Sequence, residues 1–491
     1  MQRARALAIL FAALTLAQLV PVWSVHFLPT GDGPCHVYNA WLLRELATGH
    51  ATPAIREFYA IDWRPHPNWI SHAFLAVAMS IAPPLVAEKL LFSLVLLVFL
   101  GGAWTFARAH DPDNAVYAFL AFPLAFHWLL LSGFYNFCLS FGLYLITIAV
   151  WWRRRNEPSM KALLIVAVLL LLCYFSHPMS AALAVASIGV LWLATLRGRP
   201  LRHHGLHLVA LLPVIALLQW FLTSHSGEEI TGGAPVPRAE LLEWLTSTHL
   251  IFTFDERQLV LGRVLFALVV ILMVLTAVVE RRRAEVDGFL FVALALVLVY
   301  FFAPSESPGR AWINQRMSLF LIFAPLPWLT PRLPRYAKRT LVTLLSIVAL
   351  GNVALQLHHF RMASDATAEF LAPLRAAEHD RVLLPLLFQR TVPPASLGFR
   401  AHAVEYAAIE KRLIDLDNYQ PRTGYFPIRY REGVKPPDIA GIEEHPGNVD
   451  PRGADLVFTW LMPANAPVAT GLKRDFQLVA TDGSARLYKK R

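Results

Sequence analysis

Residues 69–82 read WISHAFLAVAMSIA and run into Pro83-Pro84. How this segment is read decides how the whole chain is threaded. A helix that crosses a bilayer needs about 20 apolar residues, and this run has 14. If it crossed, the later basic clusters would fall outside the cell. Read as interfacial or re-entrant, it leaves the second span at about residues 89–107. Arg108–His110, Arg153–Arg155 with Lys161, Arg197–His204, Arg281–Arg283 and Arg332–Arg339 then share one side with Arg3 and Arg5. Such one-sided placement of lysine and arginine marks cytoplasmic loops, so the second reading is taken.

Working outward, the other spans are about 6–24, 114–131, 134–152, 160–176, 179–196, 206–223, 259–279, 286–303, 316–330 and 339–356. The expected fold is an α-helical polytopic membrane protein of about eleven transmembrane helices. The totals agree, since 56% of the 491 residues are hydrophobic and 16% are charged. The net charge of +10 does not point to nucleic acid, because the arginines cluster beside apolar runs. The N-terminal MQRARALAILFAALTLAQLVPVW has the charged start of a signal peptide, but Pro21-Val22-Trp23 is a poor cleavage site. It reads as an uncleaved first membrane helix. Arg3 and Arg5 place the expected N-terminus in the cytoplasm.

Two regions depart from apolar composition. One is the outer loop 25–84, whose first part, Val25–His72, is rich in histidine and aromatic residues and carries Asp32 between Gly31 and Gly33. Within it, His36–Thr48 reads as a short helix lying in the interface, with Arg44 snorkelling to the headgroups. The other is 357–491, which carries β-like runs at Arg381–Leu387, Leu456–Trp460, Phe476–Ala480 and Ala485–Tyr488 and one plausible helix, Ala403–Arg412. The domains are therefore expected at 1–356, transmembrane and including loop 25–84, and at 357–491, a small extracytoplasmic α/β domain.

On this topology the outer face collects His26, Asp32, His36, His50, Asp62, His66 and His72, with Asn136, His177, Glu306, Arg310 and Arg316 from later turns. Each has a plainer use. Asp32 suits a helix cap or a turn beside its glycines, and Trp69 and His66 suit interface anchors. His177, before Pro178, suits a cap, and Glu306 suits an ion pair with Arg310. An outward arginine next to the bilayer also suits a lipid phosphate. Cys35, Cys138 and Cys173 form no disulfide framework, and no His-Glu-x-x-His, paired-cysteine, Walker, Rossmann or Gly-x-Ser-x-Gly pattern occurs. No metal site or nucleotide cofactor is expected; a divalent cation has no support in the sequence.

A first helix followed by an outer loop with Gly31-Asp32-Gly33, then Pro65-His66-Pro67-Asn68-Trp69-Ile70, then the turn Gly133-Phe134-Tyr135-Asn136, resembles the GT-C class of membrane glycosyltransferases. The likeness is to bacterial members, mannosyltransferase-like, that use polyprenyl-phosphate-linked sugars. It implies Asp32 as general base in an inverting single displacement. It also implies His36, His66, Asn136, His177, Arg310 and Arg316 as substrate-binding residues, a polyprenyl-phosphate sugar as donor, and a glycan, lipid or protein acceptor. Members often carry a second acid where this chain has Gly33, and many carry another where it has Asn136; if those acids serve metal binding, their absence puts a metal requirement in doubt here. A transporter or flippase of a lipid-linked substrate, or a non-enzymatic membrane assembly protein, is the alternative. The former would place charges at mid-span, where this chain has few.

Overall fold

The computed structural model describes residues 2–157, 159–196, 201–225, 236–280, 285–303, 312–391, 396–435 and 437–491. Among them, six helices are long and apolar enough to cross a membrane: Ala4–Trp23, Pro84–Ala107, Tyr135–Arg154, His204–Ser224, Gln258–Val279 and Arg335–Ala376. Met160–Ser176, Pro178–Ala194 and Gly288–Phe302 are shorter apolar helices. The helix over Trp69–Ala78 has 10 residues. At about 1.5 Å per residue it reaches about 15 Å, half the hydrocarbon thickness. Pro83 and Pro84 end the run, and the next helix starts at Pro84 itself.

Two expected spans take other forms. Residues 114–131 are not one α-helix: Pro112–Leu124 is a 3₁₀ helix with Pro123 inside it, and Trp128–Leu131 follows as a single turn. The span expected at 316–330 is an α-helix only over Ile313–Phe323, and Leu326–Trp328 is a 3₁₀ turn. Pro325 and Pro327 withhold the backbone donors that would continue it.

The chain forms two compact units. The first comprises Met1–Pro21, Ser93–Leu129 and Tyr135–Gln356, and the second Val22–Phe92, Leu130–Phe134 and Leu357–Arg491. In the first, a Cβ on Gly102 would stand 2.7 Å from the Gly142 carbonyl oxygen, and one on Gly142 would stand 2.8 Å from the backbone of Val98. Small residues thus let two apolar helices touch backbone to backbone. Ser140 Oγ donates to Ser180 Oγ at 2.6 Å, and the Tyr144 and Ser187 hydroxyls meet at 3.0 Å. Gln258–Val279 leaves Val264, Ile271, Val274 and Val278 exposed, as a lipid-facing helix does.

The second unit contains the C-terminal sheet. Its strands are β1 (Tyr59–Ile61), β2 (Val382–Leu387), β3 (Ile414–Asp415), β4 (Ile428–Tyr430), β5 (Leu456–Trp460), β6 (Phe476–Asp482) and β7 (Ala485–Lys490). Five of them make a mixed sheet in the order β3-β2-β5-β7-β6, with β2 parallel to β3 and β5 and the β5–β7 and β6–β7 pairs antiparallel. The four expected runs are all strands, and the expected helix spans Val404–Lys411. Pro385 is tolerated inside β2 because β3 pairs only with Val382 and Leu383, so the ladder on that side has already ended. Leu384, Leu386, Ile442, Val457, Leu472 and Phe476 form the core of this sheet and its helices. β1, from the first loop, pairs antiparallel with β4.

The helix of the first loop spans Gly33–Thr48, with Pro34 in its first turn and Gly49 closing it at φ 77°. It is not an amphipathic helix lying on a surface. Every residue from Gly33 to Leu43 is buried. Arg44 does not snorkel; it pairs with Glu45 at 2.5 Å and donates to the Met79 carbonyl at 2.6 Å.

Candidate active site

Asp32 occupies the N-cap position of the Gly33–Thr48 helix, yet its side chain makes no capping hydrogen bond. Its carboxylate turns elsewhere. Tyr419 Oη donates to Asp32 Oδ2 at 3.0 Å, and His402 Nε2 lies 3.7 Å from Oδ1. The side chain keeps 24% of its accessible surface. It is therefore both oriented and reachable.

The backbone holding it is fixed by the segment Leu130–Phe134 of the same unit. The Gly31 and Asp32 amides donate to the carbonyls of Leu131 and Ser132 at 3.0 and 2.8 Å. Gly133 has φ +88°, and a Cβ there would stand 2.4 Å from the Gly33 nitrogen and 2.6 Å from the Asp32 nitrogen. Only glycine fits both the angle and the approach.

Behind Asp32 runs a chain of amides and imidazoles. Gln420 Nε2 and His36 Nδ1 lie 3.0 Å apart, and Gln420 Oε1 lies 2.7 Å from His72 Nε2. His72 Nδ1 in turn lies 3.0 Å from the Asn68 carbonyl oxygen. The two rings meet edge to face at 5.2 Å, with Phe426 beside both. Burial, reinforced by the neighbouring His72 and His402, pushes the His36 imidazole well below its ordinary range, and burial takes His72 down to about 4. His36 thus belongs with Asp32, as a neutral ring one helical turn along.

His66 serves a different pair. Its Nε2 lies 3.1 Å from Asp62 Oδ2, and the ring is fully buried. Arg64 also forks onto Asp62, with Nη2 at 2.5 Å. Burial alone would raise the Asp62 carboxyl, but the Arg64 hydrogen bonds and the adjacent His66 hold it at about 2. Trp63 stacks on Trp69 at 5.8 Å.

Asn136, His177 and Arg316 lie in the first unit. Phe137 is common to two of them: the His177 ring meets it edge to face at 5.4 Å, and the Arg316 guanidinium lies 5.4 Å from its centroid. His177 also caps its helix, its Nδ1 accepting from the Met179 amide at 3.3 Å. Asn136 is buried in the first turn of the helix beginning at Tyr135. Arg310 and Glu306 lie outside the described residues.

A buried cluster of polar and titratable groups in the second unit escaped the sequence reading. Cys35, His402 and Glu405 are all buried, and each offers a ligand atom within 4.8 Å of the others'. Asn39 and Asn418 exchange reciprocal amide hydrogen bonds at 2.8 and 3.0 Å, and Asn39 Nδ2 also reaches Cys35 Sγ at 3.5 Å. Arg390 pairs with Asp417 at 2.7 Å and with Glu443 at 3.3 Å. Burial, with Asp415 nearby, drives the Glu405 carboxyl well above the carboxylate range, and burial puts Asp415 at about 7 against the pull of the Asp417 amide and Arg390. Glu88 accepts from Thr30 at 3.3 Å and from Tyr406 at 2.6 Å. The signal that could have found this cluster is the run Asp415-Leu416-Asp417-Asn418-Tyr419-Gln420, dense in polar groups between β3 and β4.

No family model and no curated protein matches the sequence. Two crystal structures match the fold: ArnT from Cupriavidus metallidurans bound to undecaprenyl phosphate, and the same protein in the apo state. Each shares 12% sequence identity with this chain at a TM-score of 0.53. The first match covers 98% of this chain and 97% of that one, and the second 99% and 98%. The chain shares the fold of those structures. The chain is thus an integral membrane protein, mainly helical, with a C-terminal sheet domain.

Proposed function

We propose that this protein is a polyprenyl-phosphate-dependent glycosyltransferase acting at the extracytoplasmic face, with Asp32 as general base. The observation that carries the reading is the Asp32 carboxylate. It stands where a helix cap belongs, declines that role, and is aimed by Tyr419 while remaining part-exposed. The Asp32 carboxylate, oriented by the Tyr419 hydroxyl, accepts the proton of an acceptor hydroxyl as its oxygen attacks the anomeric carbon. The bond from that carbon to the phosphate oxygen breaks with inversion, and the polyprenyl phosphate leaves as an anion. Arg310 and Arg316, with Asn136 and His177, are assigned to the phosphate and the donor. His36, neutral and hydrogen-bonded, keeps positive charge away from the base and so preserves its basicity.

Support comes from the fold shared with a protein that binds undecaprenyl phosphate. The side on which transfer occurs rests on the arginine asymmetry of the loops. The test is a comparison of lipid-linked and surface glycans in cells with the wild-type protein, with Asp32→Asn, and without the gene. Loss of the same glycan in the last two supports the reading. A glycan profile unchanged by Asp32→Asn, with the variant present at wild-type level, would overturn it.

A further inference from the structure

We propose that Cys35, His402 and Glu405 form the ligand set of a zinc-type divalent cation site that ties the first-loop helix to the C-terminal domain within the second unit. A thiol, an imidazole and a carboxylate are the donor types zinc takes, and three protein ligands with one open position is a common arrangement. Ligand atoms around a tetrahedral zinc stand about 3.3–3.8 Å apart for bonds of roughly 2.0–2.3 Å. The three donors here already lie within 4.8 Å of one another. Small rotamer changes would close the set.

The second observation is independent of that spacing. Glu405 is 0% exposed, and among the described residues its carboxylate has no nitrogen or oxygen donor within hydrogen-bond distance, only the Cys35 thiol beside it. His402, 6% exposed, likewise leaves Nδ1 without a hydrogen-bond partner among them. Buried polar atoms are nearly always satisfied, and an orphaned buried carboxylate is among the costliest groups a fold can carry. Nearby cations do not answer the need, because Arg390 is committed to Asp417 and Glu443. A divalent ion would satisfy both Glu405 and His402 and offset the buried negative charge of Asp415 and Asp417.

The surroundings suit a metal-bound sulfur. Asn39 Nδ2 points at Cys35 Sγ from 3.5 Å and is itself locked by Asn418, as outer partners that orient a ligand commonly are. The thiol now faces Asn418 Oδ1 at 3.6 Å. On metal binding the Cys35 proton, and any proton on Glu405, leaves to solvent, and the sulfur and oxygen lone pairs form the new bonds. Cys35 sits in the first turn of the Gly33–Thr48 helix, and Glu405 sits in the Val404–Lys411 helix. The ion would thus pin the two elements that supply Asp32 and His402.

The test uses the full-length protein purified in detergent, stripped with chelator and re-equilibrated with zinc alone. Elemental analysis is expected to find one zinc per chain, falling at least tenfold in Cys35→Ser and in Glu405→Gln. Cobalt in place of zinc is expected to give a thiolate charge-transfer absorption that Cys35→Ser abolishes. Should either variant fail to fold, the wild-type protein still decides: zinc is expected to raise its melting temperature. Zinc retention equal in wild type and variants, or a melting temperature indifferent to zinc, would overturn the proposal.

Discussion

Two aspartate–histidine pairs in the second unit use the same functional groups to opposite ends. Asp62 has His66 at 3.1 Å and the Arg64 fork, and its side chain is 6% exposed. Asp32 has one tyrosine hydroxyl at 3.0 Å and a histidine at 3.7 Å, and it is 24% exposed. The first carboxylate is saturated with donors and stabilises a turn. The second is oriented by a tyrosine hydroxyl and stays four times as exposed. Exposure and the presence or absence of an arginine fork therefore separate the two acids, where residue type and location in the loop do not.

The strongest way to break this contrast is Asp32→Asn. Removing a general base costs about 10²–10⁴-fold in rate, so transfer measured with a polyprenyl-phosphate sugar is expected to fall about a thousandfold while the melting temperature holds. Asp62→Asn is expected to cost less than tenfold in the same assay. Equal losses in the two would erase the distinction. Gly133→Ala comes next. A Cβ 2.4 Å from the Gly33 nitrogen, on a backbone at φ +88°, is expected to destabilise by about 2–3 kcal/mol and to displace Asp32. A drop in melting temperature together with kcat is the expected readout.

Tyr419→Phe sharpens the contrast further. It removes the hydroxyl that donates to Asp32 Oδ2, and kcat is expected to fall about tenfold, the equivalent of about 1.4 kcal/mol, with the fold intact. The smallest effect concerns acid. The folded-state pKa of Asp62 is depressed to about 2 from 3.8. Its contribution to stability is therefore present above about pH 4 and lost as the pH falls through about 2. Asp62→Asn is expected to flatten that part of the pH–stability curve, measured by thermal unfolding.

Much of the architecture was legible because hydropathy acts locally. The short run at 69–82, the four C-terminal strands and the helix before Arg412 all follow from composition within a window. What misled was proline. Pro112, Pro123, Pro325 and Pro327 turn apolar stretches into 3₁₀ turns, which a hydropathy window does not register. Asp32 itself was legible as an acid between glycines. Its partners were not, because Tyr419 and His402 come from a domain with no spacing motif and meet the first loop only through tertiary folding. Gly133 was visible as a turn residue, but its close approach to the Asp32 amide needed coordinates.

The hydrogen bond from Tyr419 to Asp32 joins residues 387 positions apart. At a synthesis rate of about 5–20 residues per second, the ribosome adds that length in roughly 20–80 seconds. For that interval the emerging chain carries its acid without the hydroxyl that aims it, while its membrane helices are already being delivered to the bilayer. Under the proposed function, catalytic competence is thus a late event in the protein's biogenesis. A ribosome that stalls before residue 419 leaves behind an inserted but unarmed product.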